Sequence, residues 1–318
     1  MIDESFYNPA TYRNMVKMSK HKYILVEGKD DKITFRYLIQ ELFLGKRLEI
    51  KVHGAHQIRF GSNIGNRERV ETISESVKEK KYAKRFVGFV DREFRGFRLD
   101  HEINDSIEKH NVLGRLVWSR GHSLENYYFD FSTLRRPLRD FSTTPYFEDA
   151  MDLFEQKIEQ TIKIACAVGL AGNECGILEP VKTSIDWKVL EFNESEFAIN
   201  TVNWLRVLIS KKKIRSEDAY LLVEAFQSWF PKVSATDLNT VRWLCHGHIG
   251  ITVIWAAYAR CVFEVCARLG CEDPHGEVKN VLGANEAVRC NRCASEWAQQ
   301  ILNKSCEYPA EIFTLLDL

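Results

Sequence analysis

The chain carries no net charge: 44 lysines and arginines balance 44 aspartates and glutamates among 318 residues. No whole-molecule field therefore draws it to nucleic acid or acidic lipid, and attraction to a polyanion has to come from local basic patches. The first residues are not expected to act as a signal peptide. The opening MIDESFYNPATYRNM is polar, with early acids and no apolar run. A membrane span is not expected either, because the most apolar stretch, residues 249–269, holds Arg260, Glu264 and Arg268 and reads as a buried helix. Nine cysteines without an export signal point to reduced thiols in cytoplasm, not to a disulfide framework. No internal repeat or low-complexity tract is visible. Walker A loop, Rossmann glycine fingerprint, serine-nucleophile elbow and HExxH are all absent, which disfavours ATP hydrolysis by this chain alone.

What is present fits a globular protein. Hydrophobic residues make up 45% and charged residues 28%, enough for a core in one large domain or two. The first ~130 residues alternate strand-like and helix-like segments, as α/β folds do. Residues 21–27 (HKYILVE), 48–52, 85–90 (RFVGFV) and 111–118 read as strands. Between them, Phe35, Leu38, Ile39 and Leu42 fall at helical spacing, and residues 66–81 place Val70, Ile73 and Val77 on one helical face. Beyond residue 130 the character changes. Residues 147–170, 202–209, 219–230, 249–269 and 294–302 read as helices, and 178–197 is ambiguous, with room for a strand. The expectation is a mostly parallel sheet domain over residues 1–135 and a mainly helical domain over 136–318 for dimer or partner contacts, with the boundary at 131–145.

Three acidic elements stand out: VEGKDD at 26–31, FVDREF at 89–94 and GHSLENYYF at 121–129. Glu27 closes the first strand, Gly28 permits a sharp turn, and Asp31 opens the next helix, where carboxylates meet free backbone N–H groups. Asp91 and Glu93 flank Arg92 just past another strand; if that segment is extended, they point the same way. Ligands of open α/β sheets sit beyond the carboxyl ends of the strands, where Glu27 and Asp91 both fall. Carboxylates gathered there repel, and a divalent cation removes the conflict. Hard oxygen ligands suit magnesium or manganese more than zinc. The bland alternative is that these acids only cap helices.

VEGKDD with Asp91-Arg92-Glu93 resembles the Toprim family, in the type found in OLD-like nucleases, over about residues 20–130. Ser123-Leu124-Glu125-Asn126-Tyr127 looks like a further motif of small Toprim proteins such as the AriB-like effectors of the PARIS anti-phage system. The resemblance implies a magnesium-dependent nuclease on a Toprim, Rossmann-like fold. Glu27 would be general acid/base or metal ligand, Asp31, Asp91 and Glu93 would hold metal, and Glu125 would complete the site. The second acid of the family's D-x-D is glutamate here, one methylene longer. The resemblance further implies an AriA-like ABC-type ATPase that restrains the chain, a phage protein as trigger, transfer RNA as substrate and a homodimer when active. Nucleotidyl transfer and a non-catalytic regulatory module are the rival functions.

Basic residues cluster near the acids: Lys78, Lys80, Lys81, Lys84 and Arg85, then Arg92, Arg95 and Arg98 interleaved with Phe94 and Phe97. Arg92 and Arg95 adjoin Asp91 and are candidate phosphate contacts; Lys78 to Lys84 read as a solvated helix face. Lys29 either orients a phosphate or pairs with a neighbouring acid. His122 either touches the scissile phosphate or makes a structural hydrogen bond. Lys211, Lys212, Lys213 and Arg215 read as an exposed turn. Cys290 and Cys293 have zinc-ligand spacing, with Cys245, His246 and His248 as partners in a minority reading; free thiols are the default. Trp204, Trp229, Phe230, Trp243 and Trp255 read as core or interface anchors.

Overall fold

The structure is a computed structural model that describes residues 6–46, 49–61, 63–193, 196–302 and 306–318. The chain divides into two compact units. The first holds residues up to Arg95, Ile107–Leu124 and Trp297–Leu318; the second holds Gly96–Ser106 and Glu125–Glu296.

In the first unit the elements run α1 (Pro9–Met18), β1 (Lys22–Val26), α2 (Lys29–Leu42), β2 (Ile50–Gly54), α3 (Asn66–Val77) and β3 (Phe86–Val90). The excursion through β4 (Phe97–Leu99) and β5 (Ile103–Asp105) belongs to the second unit, and β6 (Val112–Leu113) and β7 (Leu116–Trp118) return to the first. The sheet order is β2-β1-β3-β7-β6, parallel except for the β6–β7 hairpin. The α/β architecture with a mostly parallel sheet is thus as the sequence predicts. Residues 111–118 form a hairpin where one strand was expected, because Gly114 turns the chain with φ +63°. The second strand is Ile50–Gly54, two residues later than expected; Leu48 lies outside the described residues.

Both sheet faces are covered, which is why these strands read as continuous apolar runs. Tyr23 and Leu25 of β1 and Phe86 and Val90 of β3 pack under Tyr12 and Val16 of α1 and Val70, Ile73 and Val77 of α3. On the other face Phe35 of α2 meets Phe89 edge-on, with ring centroids 5.0 Å apart. At Gly88 an added Cβ would overlap Ser74 Oγ and lie 2.8 Å from Val70 Cγ1, so glycine lets α3 close onto β3.

The second unit is mainly helical, with α4 (Phe131–Asp140), α5 (Phe147–Glu174), α6 (Leu178–Lys182), α7 (Thr201–Arg206), α8 (Ser216–Ala235), α9 (Leu238–Leu244), α10 (Gly247–Leu269) and α11 (Pro274–Leu282). The ambiguous segment 178–197 resolves into α6 and a hairpin of β8 (Leu190–Asn193) with β9 (Glu196–Ile199). Then follow α12 (Glu286–Ile301) and α13 (Ala310–Leu315). α10 is the one described helix long and apolar enough to cross a membrane, and it is mostly buried within the protein. Trp204, Trp243 and Trp255 are core residues, while Trp229 donates from Nε1 to Glu174 at 2.5 Å. All nine cysteines are free thiols.

Candidate active site

Parallel β1 and β3 are neighbours, yet the chain runs from β1 to β2 on one side before returning to β3 on the other. The sheet order therefore reverses between β1 and β3, and in open α/β sheets ligands bind beyond the carboxyl ends of the strands at such a reversal. Glu27 and Asp91 are the first residues past those ends. By alternation Glu27 continues the face of Tyr23 and Leu25, which lies under α3.

The Glu27 carboxylate accepts the Asp91 backbone N–H at 2.8 Å, tying the two strand ends together. Burial raises the Glu27 pKa; the Asp91 amide and the Arg67 guanidinium oppose the rise, while Glu93 and Glu71 add to it. Burial outweighs two favourable partners because a carboxylate loses more water there than they replace.

Arg67, in the first turn of α3, organises the acids. It donates from Nε to Glu71 at 3.0 Å, meets Glu93 Oε2 through Nη1 at 2.7 Å, and donates from Nη2 to the Asp91 carbonyl at 2.7 Å. Arg95 lies 3.9 Å from both Glu71 and Glu93 and sits over the Trp118 ring at 5.3 Å. Arg67, Glu71 and Trp118 were not singled out from the sequence. The available signal was a spacing of four that places Arg67 and Glu71 on the stripe of Val70 and Ser74, facing the sheet.

Several expectations need correction. The segment after β3 is not extended: Glu93 has φ +55°, in the left-handed region. Strand alternation therefore does not align Asp91 with Glu93. The strained backbone is held by Glu93 N–H donating to the His122 carbonyl at 2.7 Å and by the Arg67 pair. The chain bends at Gly28, as expected, but with φ −112° the bend does not use the left-handed region. The missing Cβ of Gly28 instead leaves room for Asp31, whose Oδ2 would lie 3.3 Å from such a carbon and accepts the Gly28 N–H at 2.8 Å. Asp31 thus caps α2, as the bland reading has it.

Arg92 is fully buried, so it does not present a cation to substrate. Its guanidinium donates to the carbonyls of Arg95 at 2.6 Å, Arg120 at 2.9 Å and Ile107 at 3.3 Å, clamping the loop that carries the acids. His122 is also buried and stands edge-on to Phe94 at 4.6 Å. Lys29 is exposed at the start of α2. Arg85 donates to the carbonyls of Lys17 and Ser19, Lys78 pairs with Glu75, and Arg215 pairs with Asp218, all structural roles.

Glu125 belongs to the second unit, the others to the first. There it is buried, and its charge raises the proton affinity of both His246 and His248. Burial dominates at His246 and pushes it down to about 4, whereas the hydrogen bond to Glu286 pushes His248 up to about 9. The neighbouring Asn126 donates to the carbonyls of Arg242 and Cys245, each at 2.7 Å, which ties Asn126 to the α9–α10 junction within the second unit. Cys290 and Cys293 are buried on α12, and burial drives the Cys293 thiol up. Among the described residues, no group of three or more His, Cys, Asp or Glu is arranged to hold a metal ion. The chain matches no family model, and no curated protein is similar to it.

Proposed function

We propose that the acidic cluster beyond β1 and β3 is the active centre of a metal-dependent phosphodiesterase, a nuclease of the Toprim type. One observation carries the reading: a half-buried Glu27 carboxylate, raised in pKa, bonds to the Asp91 amide at the point where the sheet order reverses. Three carboxylates, Glu27, Glu71 and Glu93, face the guanidinium groups of Arg67 and Arg95, and Asp91 joins them through its backbone, so four acids against two cations leave negative charge for a cation to neutralise. Magnesium suits such hard oxygens and needs only one or two carboxylates, since it keeps waters and takes further oxygens from a substrate phosphate. A closed three-ligand cage is therefore not required. Asp91 would hold the ion, with Glu93 beside it, while Glu27 stays off the metal and keeps its proton affinity.

When bound, the metal would polarise the phosphoryl oxygen and activate a water. The chain's own residues do the rest. Glu27, with its raised proton affinity, exchanges a proton with the attacking water or the leaving oxygen. Arg67 holds Glu71 and Glu93 apart from it. Arg95, the more exposed cation and stacked on Trp118, is the phosphate contact. The resemblance extends the proposal to transfer RNA as substrate, a cytoplasmic homodimer, and release from an AriA-like ATPase on a phage trigger.

Two contacts favour a second reading, a regulatory module without catalysis: Asp31 caps Gly28, and Glu93 is already paired with Arg67. One experiment separates them. Wild type and Glu27→Ala are incubated with transfer RNA and with duplex DNA, in magnesium or EDTA. Loss of about 10²-fold or more of a magnesium-dependent cleavage, with an unchanged circular dichroism spectrum, is expected. Cleavage by the variant at the wild-type rate removes the role given to Glu27. Magnesium without effect on cleavage or on melting temperature supports the regulatory module.

A further inference from the structure

Between α2 and the edge strand β2 lies a cavity of ≈ 390 Å³. Its lining includes Lys32 and Arg36, one helical turn apart on α2, and Lys51 and His53 on β2, with Tyr7 and Gln57 closing it. Among the described residues, no carboxylate lines it. Among the described residues, Arg36 and Lys51 make no ion pair, and both are exposed. This contrasts with the acidic cluster, where each guanidinium group answers a carboxylate. Arg36 and Lys51, facing one hollow beside Lys32 with no acid among the described lining residues, define a site for an anion.

The neutral groups fit the same ligand. His53 is stacked on Tyr7, with ring centroids 6.0 Å apart and planes within 10°. Burial, and then the charges of Lys32, Lys51 and Arg36, push its pKa down to about 4. The neutral ring keeps one N–H donor, and its Nδ1 is buried without a hydrogen-bond partner among the described residues. Gln57 is buried and its Oε1 accepts from Gly54 N–H at 3.1 Å and from Lys32 Nζ at 3.4 Å, which holds that lysine at the wall.

The cavity adjoins the acidic cluster. Lys32 follows Asp31 directly in the first turn of α2. Gly54, at the end of β2, packs so close to the Gly28 carbonyl that an added Cβ would lie 3.3 Å from its oxygen. We propose that this cavity is a second phosphate subsite, which grips the phosphodiester backbone of a nucleic-acid strand next to the bond presented at Glu27 and Asp91. The proposal rests on the phosphodiesterase reading for its substrate, but binding tests it without turnover.

Full-length protein is titrated into a short fluorescein-labelled RNA in EDTA, and anisotropy is read over a range of salt. Arg36→Gln with Lys51→Gln is expected to weaken binding at low salt by about tenfold or more. It should also flatten the slope of log K against log salt by about 1.4, since a single strand releases roughly 0.7 of a counterion per neutralised phosphate. Arg36→Lys alone retains most of the affinity. Both altered side chains are exposed, so the melting temperature should stay at the wild-type value. An unchanged salt slope in the double variant, or no binding by wild type at low salt, overturns the subsite; cations that merely guard an edge strand against pairing would give the first result. Displacement of the RNA by inorganic phosphate or a mononucleotide as readily as by unlabelled RNA overturns the backbone assignment, leaving a site for a free anion. Weakened binding alongside a wild type that cleaves nothing in magnesium keeps the subsite and removes the catalytic reading.

Discussion

Glu27 sits at the point of conflict between stability and chemistry. Its ordinary pKa is 4.5, and burial raises it in the folded chain. The folded state therefore holds the proton more tightly than the unfolded state, so stability falls as pH rises through the interval above 4.5 and levels off beyond the folded pKa. Glu27→Gln cannot titrate, and its amide oxygen can still accept the Asp91 N–H. In EDTA the variant is expected to melt above wild type at pH 8, with the gap closing towards pH 4; calorimetry across that range checks it, and a gap that widens on acidification refutes the assigned environment. Glu27 and Asp91 were legible because an acid directly after an apolar strand run leaves few other places for its charge. Arg67 was not, because an arginine in a charged helix looks like every other solvated cation until α3 is laid on the sheet. Arg92 misled for the opposite reason. Beside Asp91 in sequence it resembles a phosphate contact, but its guanidinium serves three backbone carbonyls, those of Arg95, Ile107 and Arg120.

At the level of elements, the site depends on how closely α3 lies on β3, because that approach carries Arg67 to the strand ends. Gly88 sets the distance. Gly88→Ala must push Ser74 and Val70 away, an overpacking cost of about 1–3 kcal/mol. A lower melting temperature is expected, by roughly 2–8 °C for each kcal/mol lost. Because Arg67 moves with the helix, magnesium-dependent activity should fall further than the fraction unfolded explains; activity measured well below the melting temperature decides this. The apolar strand runs and the helical stripe of Val70, Ile73 and Val77 were readable, since burial on both sheet faces and on one helix face leaves those periods in the residues. The β6–β7 hairpin and the β8–β9 hairpin were not. Each is a few residues long, and period-2 alternation needs more than that to declare itself.

For the whole molecule, composition divides the chain near residue 135, whereas compactness assigns residues 297–318 to the first unit. The reason is the apolar content of the tail. Ile312, Phe313 and Leu316 are buried, and Phe313 meets Phe43 with centroids 5.3 Å apart. Polar contacts hold the same segment: Arg115 donates to the Leu315 carbonyl at 2.8 Å, and Lys22 donates to that of Leu316. Each of the three buried side chains contributes about 1.5–3 kcal/mol, so the tail supplies roughly 5–9 kcal/mol. That is comparable with the ~5–15 kcal/mol that holds a whole domain together. A chain ending at residue 305 should therefore lose the first unit while the second persists. Hydrogen exchange read by mass spectrometry distinguishes the two: amides of β1 and β3 should exchange at unfolded rates, and those of α5 and α10 should stay protected. Protected β1 and β3 amides in the shortened chain would mean that the sheet closes its core without α13, and a catalytic fragment could then be cut at the compositional boundary. Exposed amides in all four elements would instead tie the stability of the helical unit to that of the sheet.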